Sequence, residues 1–263
     1  MPEQAPALDV TVLVATRNRP EQLRVALDAI AAAAPPGTDV LVVDSAGDTH
    51  ATLEVATAAG ARYVRTDEPG LSVARNVGSR NTRAAVTAFT DDDCRPRPGW
   101  LEALMAPFDD PAVGFVTGQV IGAGTGTAAD VVGLPAARWR WPDDPVGMGS
   151  GANMAVRKVV LDEVGGFDPM IGAGAAIPSA EDHELFLRAL HAGWEGRHAP
   201  GSAVDHDDQR GRWAGVRLCY GYGVGSGVVG ARAVPRRRTP AVTLPTRRAA
   251  VMRSAGLSGG PPA

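Results

Sequence analysis

Three consecutive aspartates, Asp91-Asp92-Asp93, directly follow the apolar run Val86-Thr87-Ala88-Phe89-Thr90. An extended turn at the end of such a run sets Asp91 and Asp93 on one side. Two carboxylates are enough for a hard divalent cation, because Mg2+ and Mn2+ keep few protein ligands and share the remaining positions with substrate phosphates. A solvated acidic turn ahead of a helix beginning near Pro98 is the plainer reading of the same residues. His206, in Val204-Asp205-His206-Asp207 after a strand near Ala203, offers a neutral imidazole that would complete a metal shell, although lone histidines are usually structural.

Two further segments carry reactive groups. Gly70-Leu71-Ser72-Val73-Ala74-Arg75-Asn76-Val77-Gly78 supplies a cation and an amide. Arg75 suits bidentate pairing with a diphosphate; as the alternative, Arg75 and Asn76 decorate an amphipathic helix. Glu181-Asp182-His183-Glu184 opens a helix with an apolar stripe at Leu185, Phe186 and Leu190. The helix dipole accounts for one acidic group in a first turn but not for the combination. Asp182 is the candidate general base for an acceptor hydroxyl.

These groups need a scaffold, and the apolar periodicity predicts one. Val10 to Ala15 is a strand, Pro20 to Ala33 a helix with Leu23, Leu27 and Ile30 on one face, and Val40 to Val43 a second strand. Val55 to Gly60 closes a second helix, Ala61 to Thr66 is a third strand, Leu71 to Ala85 a third helix and Val86 to Thr90 a fourth strand. Apolar strands alternating with helices imply an α/β fold with a mostly parallel central sheet covered on both faces. Ligands of such sheets collect at the carboxyl ends of the strands. Those ends carry Thr16-Arg17-Asn18, Asp44 and the aspartate triplet.

The expected organisation is an extension at 1–8, a nucleotide-sugar-binding half at 9–110 and an acceptor-facing half of the same domain at 111–210. A helix and Gly-rich segment at 211–232 and a basic, poorly ordered tail at 233–263 follow. The acceptor-facing half holds a strand at Gly114 to Ile121 and a helix at Ala180 to Ala192. Gly122 to Ala129 and Gly172 to Ala176 read as lids or loose loops, the second favoured as a lid because it precedes Glu181-Asp182. Trp139 and Trp141 either stack on a sugar or lipid acceptor or pack in the core.

Composition narrows the class. The 263 residues are 44% hydrophobic, ample for a buried core, and the two cysteines, Cys94 and Cys219, support neither a disulfide framework nor a zinc site. The first residues, MPEQAPALDV, lack the profile of a signal peptide, and no apolar run is long enough to span a bilayer. A cytoplasmic location, peripheral to the inner face of the membrane at most, is therefore expected. The net charge of -3 hides a division: all 29 acidic residues lie at or before Asp208, and ten arginines follow it. Such a basic tail suits an anionic membrane leaflet or a phosphorylated acceptor, and equally a solvated disordered segment. No nucleic-acid partner is expected.

Seven blocks in one order then amount to a family likeness. Ala15-Thr16-Arg17-Asn18-Arg19-Pro20, Val42-Val43-Asp44-Ser45, Gly70 to Asn76, Thr90-Asp91-Asp92-Asp93, Gly151-Ala152-Asn153-Met154-Ala155-Val156-Arg157, Gly165-Gly166-Phe167-Asp168 and Glu181-Asp182 resemble those of the family-2 glycosyltransferases over about residues 9 to 210. The resemblance implies a GT-A fold and a metal-dependent, inverting transfer of sugar from a nucleoside-diphosphate sugar to a glycan, lipid-linked or small-molecule acceptor. It implies that Thr16 and Asp44 hold the nucleotide base, that Arg75 approaches the ribose or diphosphate, and that Arg17, Asn76 and Asp92 belong to the same donor site. Asp91 and Asp93 match the D-x-D motif that holds Mg2+ or Mn2+, His206 a late histidine at the metal, and Asp182 the catalytic base. Glu181, Trp139, Arg212 and Trp213 are the candidate contacts of acceptor or lid.

Two departures bear on this likeness. Ser45-Ala46-Gly47-Asp48 replaces the usual Asn/Gly/Ser turn near the ribose. Gln209-Arg210-Gly211-Arg212-Trp213 has the Q-x-x-R-W form of processive synthases, but the membrane helices of those enzymes are not seen in this sequence. Rival readings are a non-catalytic nucleotide-sugar-binding scaffold, a sugar-nucleotide pyrophosphorylase and a dinucleotide oxidoreductase. The pyrophosphorylase would need a Gly-rich loop after the first strand, where Thr16 to Pro20 has no glycine, and the oxidoreductase a G-x-G-x-x-G that is not there.

Overall fold

The computed structural model describes residues 9–48, 50–122, 133–143, 147–207 and 212–233, with backbone alone at 212–219 and 233. The first half runs β1 (Val10–Thr16), α1 (Pro20–Ala33), β2 (Asp39–Ser45), α2 (Ala51–Ala58), β3 (Arg62–Thr66), α3 (Leu71–Asn81) and β4 (Val86–Asp91). β1 pairs in parallel with β2 and β4, and β2 with β3. All seven residues of β1 are buried, as expected of a strand covered on both faces, whose side chains read as one apolar run instead of an alternation.

Local chemistry explains the helix limits. α1 opens on Pro20, whose fixed φ suits the first turn and whose missing N–H would have no partner there anyway. α3 stops at Asn81, four residues before the expected Ala85, because Thr82 is already extended. It also lies unusually close to the sheet: a Cβ at Gly78 would overlap Leu13 Cδ1 and stand 2.9 Å from Val43 Cγ2.

The second half runs β5 (Cys94–Pro96), α4 (Trp100–Met105), a 3-10 turn at Ala106–Asp109, β6 (Val113–Gly122), β7 (Ala137–Trp139), β8 (Asn153–Arg157), α5 (Lys158–Val164), α6 (Glu181–His191), β9 (Glu195–His206) and α7 (Arg212–Ala233). Strand order in the sheet is β3-β2-β1-β4-β8-β6-β9-β5, with β7 on the flank of β9. β8 is antiparallel to both β4 and β6, and β9 is parallel to β6, so β6 and β9 point the same way as β1 to β4. The sheet is thus mostly parallel in direction, as the sequence implied. β8 itself had no signal beyond the apolar Met154-Ala155-Val156.

One core cluster packs α1, α2 and α4 on one face of the sheet through Leu23, Ile30, Ala56 and Trp100. Another packs α3, α5 and α6 on the other through Ala74, Leu161, Phe186 and Leu190. Buried Asn153 ties the second half together: it accepts from Trp100 Nε1 at 2.8 Å and donates to the carbonyls of Gln119 and Ser202 at 2.9 and 3.2 Å. α7 continues to Ala233, through several glycines that helix propensity alone disfavours, so the expected Gly-rich segment is helical as well. Among the described residues no helix is long and apolar enough to cross a membrane.

Candidate active site

The carboxyl ends of β1, β4 and β9 meet at one place. Register sets Ala15 beside Asp91 and Cys94 beside His206, so the residues just beyond these strands converge. Thr16 Oγ donates to Asp92 Oδ2 at 2.6 Å, and Arg19 Nη1 reaches Asp92 Oδ1 at 3.0 Å and Asp93 Oδ2 at 3.2 Å. His206 Nε2 lies 3.4 Å from Asp93 Oδ1. A cavity of about 390 Å³ opens over them, lined also by Arg17, Ser45, Gly70, Ala173 and Gly174. That volume lies in the range of small-molecule sites, roughly 300–1,000 Å³.

The electrostatics of the triplet follow from its enclosure. Burial, the largest influence, pushes the Asp92 carboxyl up to about 6 despite the Thr16 hydroxyl and Arg19. Burial raises Asp91 too, assisted by Asp93 and opposed by Arg75. A cation would relieve this repulsion. Asp93, Cys94 and His206 place a carboxylate oxygen, a thiol and an imidazole nitrogen within 4.8 Å of one another. Two ligands of one ion at about 2.1 Å each sit roughly 3.0–3.5 Å apart, which the Asp93–His206 spacing matches. The Cys94 thiol is pushed well above its ordinary value by burial and by Asp91 and Asp93, and a hard cation prefers oxygen and imidazole to a neutral thiol. The donor set therefore fits Mg2+ or Mn2+ on Asp93 and His206, with Asp91 adjacent.

Beneath the cavity lies a buried ion cluster. The Arg75 side chain is only 2% exposed, and its guanidinium donates to Glu181 Oε1 at 2.8 Å, Asp91 Oδ1 at 3.1 Å and the Gly151 carbonyl at 3.2 Å. Its flank faces the Phe89 and Phe167 rings. Glu181 is raised by burial and by Asp182. Asp182, next on α6, accepts the Gly151 N–H at 2.6 Å on Oδ2 and the His183 N–H at 2.8 Å on Oδ1. Burial pulls the Asp182 carboxyl upward, but His183, Arg75 and these two amides outweigh it and hold it below its ordinary value.

Comparison with known proteins decides the family. The model of glycosyl transferase family 2 matches residues 11–165, more than half of the chain. The chain belongs to glycosyl transferase family 2. A pre-mycofactocin glycosyltransferase of Mycobacterium tuberculosis is 28% identical to this family-2 chain over 240 residues, covering 81% of the chain and 46% of the relative. The glycosyltransferase AglE of Haloferax volcanii is 30% identical over 119 residues, 42% of this chain and 39% of that one. The chain thus spans about half the length of the curated relatives it matches. Among solved structures, the mannosyltransferase PcManGT of Pyrobaculum calidifontis, in complex with GDP-Man and Mn2+, superposes with a TM-score of 0.68 at 20% identity, over 98% of this chain and 72% of that one. S. aureus TarS 1–349 with UDP-GlcNAc superposes with a TM-score of 0.64 at 18% identity, over 77% and 59% of the two chains. At these identities the structures establish the GT-A fold of the family-2 chain.

Not every expected site residue reaches the cavity of this family-2 chain. Thr16, Arg17, Asp91, Asp92, Asp93 and His206 line it together. Arg75 differs from the expectation of a diphosphate contact, because its guanidinium is buried among Asp91, Glu181 and Gly151. Asp44 is fully buried and accepts from the Gly47 N–H and the Tyr63 hydroxyl, both at 2.9 Å, so it braces the turn after β2 in place of facing a base. Asn76 accepts from the Phe167 N–H at 2.7 Å and donates to the Phe167 carbonyl at 2.8 Å, which commits both ends of its amide to the loop after α5. Trp139 sits edge-on to His198 at the flank of β9, away from the cavity. The side chains of Arg212 and Trp213 lie outside the described residues, as do 123–129 of the first expected lid and the tail at 234–263.

Sequence reasoning missed Arg19, Ser45 and the Gly151 amide. Arg19 stood in the first quoted block, but its spacing to the triplet carries no sequence signal. The Gly172 to Ala176 loop does border the cavity, tethered where the Leu71 N–H donates to the Ala173 carbonyl at 3.0 Å.

Proposed function

We propose that the chain transfers a sugar, with inversion, from a nucleoside-diphosphate sugar to an acceptor hydroxyl in a divalent-cation-dependent reaction. The observation that carries this reading is the convergence of Thr16, the aspartate triplet and His206 on one cavity at the strand ends. Asp93 and His206, with Asp91, would hold the Mg2+ or Mn2+. A cation bound there supplies charge to offset the departing diphosphate. Arg17, exposed on the cavity wall and without a hydrogen bond or ion pair among the described residues, is the arginine placed to meet the diphosphate, a role better matched to it than to Arg75.

Asp182 acts as the base. The two amides keep it ionised and oriented, and each accepting oxygen retains a lone pair for the proton of the acceptor hydroxyl. A single attack on the anomeric carbon from the face opposite the leaving group inverts its configuration. Because an aspartate held below its ordinary value is a weak base, most of the acceleration comes from orientation. The donor sugars GDP-Man and UDP-GlcNAc in the neighbouring structures define the class of nucleotide to test. The proposed halves, 9–110 for donor and 111–210 for acceptor, follow from this division of roles, with glycans, lipid-linked sugars and small molecules as acceptors. The basic tail at 233–263 is proposed to contact a membrane from the cytoplasmic side.

The test is nucleotide release by the purified full chain from UDP- and GDP-sugars, with and without Mn2+, beside thermal shifts with UDP and GDP. Release that requires Mn2+ and is abolished in Asp182→Asn, with donor binding intact, is the expected result. Near-normal transfer by Asp182→Asn would show the base to be misassigned, and binding without turnover would favour a scaffold.

A further inference from the structure

The matched family region ends at residue 165, ahead of the segment that delivers Asp182. That segment leaves Asp168, whose Oδ1 accepts the Met170 N–H, and forms a small closed loop. Within it the Gly172 N–H donates to the Ile177 carbonyl at 2.7 Å and the Ile177 N–H to the Met170 carbonyl at 3.0 Å. Its inner side docks on α3, where Ser72 Oγ donates to the Ile171 carbonyl. It then passes through Ser179 and Ala180 into Glu181-Asp182. Ala180 holds φ at +75°, a left-handed conformation that a residue with a Cβ keeps only when its surroundings impose it.

α7 supplies those surroundings. Ser179 Oγ donates to the Gly221 carbonyl at 2.8 Å. A Cβ at Gly225 would overlap the Ser179 carbonyl and stand 2.9 Å from Ala180 Cβ, so the glycine allows the helix to press on the junction. Two turns farther on, Arg232 spans the segment: Nη2 lies 2.9 Å from Asp168 Oδ2 at its start and Nη1 lies 2.7 Å from Glu184 Oε1 beyond its end. Glu184 is buried and already paired with Arg188 at 2.6 Å. Its charge is therefore balanced without Arg232, and what Arg232 adds is the link to Asp168 and to α7.

We propose that Arg232 is a positioning residue, through which α7 clamps both ends of the 168–184 segment and so fixes where Asp182 stands against the Gly151 amide. The catalytic part rests on the reading of Asp182 as the base; the mechanical part does not. Hydrogen exchange and donor kinetics on the full chain test the two separately. In Arg232→Ala, the amides of Gly172, Ala175 and Ile177 are expected to exchange about tenfold faster, the scale of a lost charge-assisted hydrogen bond, with β1 to β4 unchanged. For whichever UDP- or GDP-sugar the wild type hydrolyses with Mn2+, kcat is expected to fall about tenfold with the donor KM within about twofold.

Arg232→Lys, whose single ammonium reaches one carboxylate at a time, recovers part of both effects. Gly225→Val, which pushes α7 off Ser179 while keeping Arg232, reproduces the loosening. Unchanged exchange at the three amides would overturn the clamp, as would wild-type kcat despite loosening, or a rise in KM together with faster exchange in β1 to β4. If Asp182→Asn retains full kcat, the base assignment fails, while the exchange result still decides the clamp.

Discussion

Replacing Arg75 with methionine removes a cation that joins Asp91, on the donor side of the site, to Glu181 on the helix carrying Asp182. The guanidinium is 2% exposed and lies 2.8 Å from Glu181 and 3.1 Å from Asp91. Methionine fills comparable volume against Phe89 and Phe167 but leaves two carboxylates and the Gly151 carbonyl without their donor. Breaking a buried ion pair by deleting one partner costs about 3–5 kcal/mol, far more than an exposed pair would. Typical domains are stable by about 5–15 kcal/mol, so Arg75→Met should remain folded with a large part of its margin gone. Urea unfolding followed by circular dichroism measures this directly. Arg75→Lys should lose roughly half as much, since one ammonium cannot span both carboxylates with the fork of a guanidinium. Loss of less than about 1 kcal/mol, with a marked drop in nucleoside-diphosphate affinity instead, would refute the structural role and return Arg75 to the diphosphate.

Two further outcomes follow from single contacts. Gly78→Ala should destabilise by about 1–3 kcal/mol, because overlap with Leu13 and Val43 in the packed core outweighs the roughly 1 kcal/mol gained in helix propensity; unchanged or raised stability in urea would show that α3 can move off the sheet. Asp39 is held below its ordinary value of 3.8 chiefly by the Arg62 hydrogen bonds, against the opposing pull of burial and with help from the Thr11 hydroxyl. A carboxyl depressed in the folded state binds its proton more weakly there than in the unfolded chain, so its stabilisation is complete above pH 3.8 and disappears as pH falls through the folded value. Thermal melts from pH 7 to pH 3 should therefore fall more steeply for the wild type than for Asp39→Asn below about pH 4, and parallel curves would contradict the assignment.

The β-α-β alternation, the strand ends and the position of the aspartate triplet were legible in the sequence, because strand and helix periods are set by neighbouring residues and a parallel sheet gathers its strand ends on one edge. Thr16 and the triplet needed only that rule to be placed together. What Arg75, Asp44 and Asn76 touch was not legible. Each is a polar side chain whose partner is chosen by packing: Glu181 reaches Arg75 from a helix far along the chain, Tyr63 reaches Asp44 from the neighbouring strand β3, and Phe167 turns its backbone to Asn76. A motif states that a polar group is needed near a place; only the tertiary structure decides whether it faces the cavity or another buried charge. The antiparallel insertion of β8 and the grip of α7 on the 168–184 segment belong to the same class. Both depend on contacts between distant segments, whose energies exist only once the sheet has brought them within a few ångströms of each other.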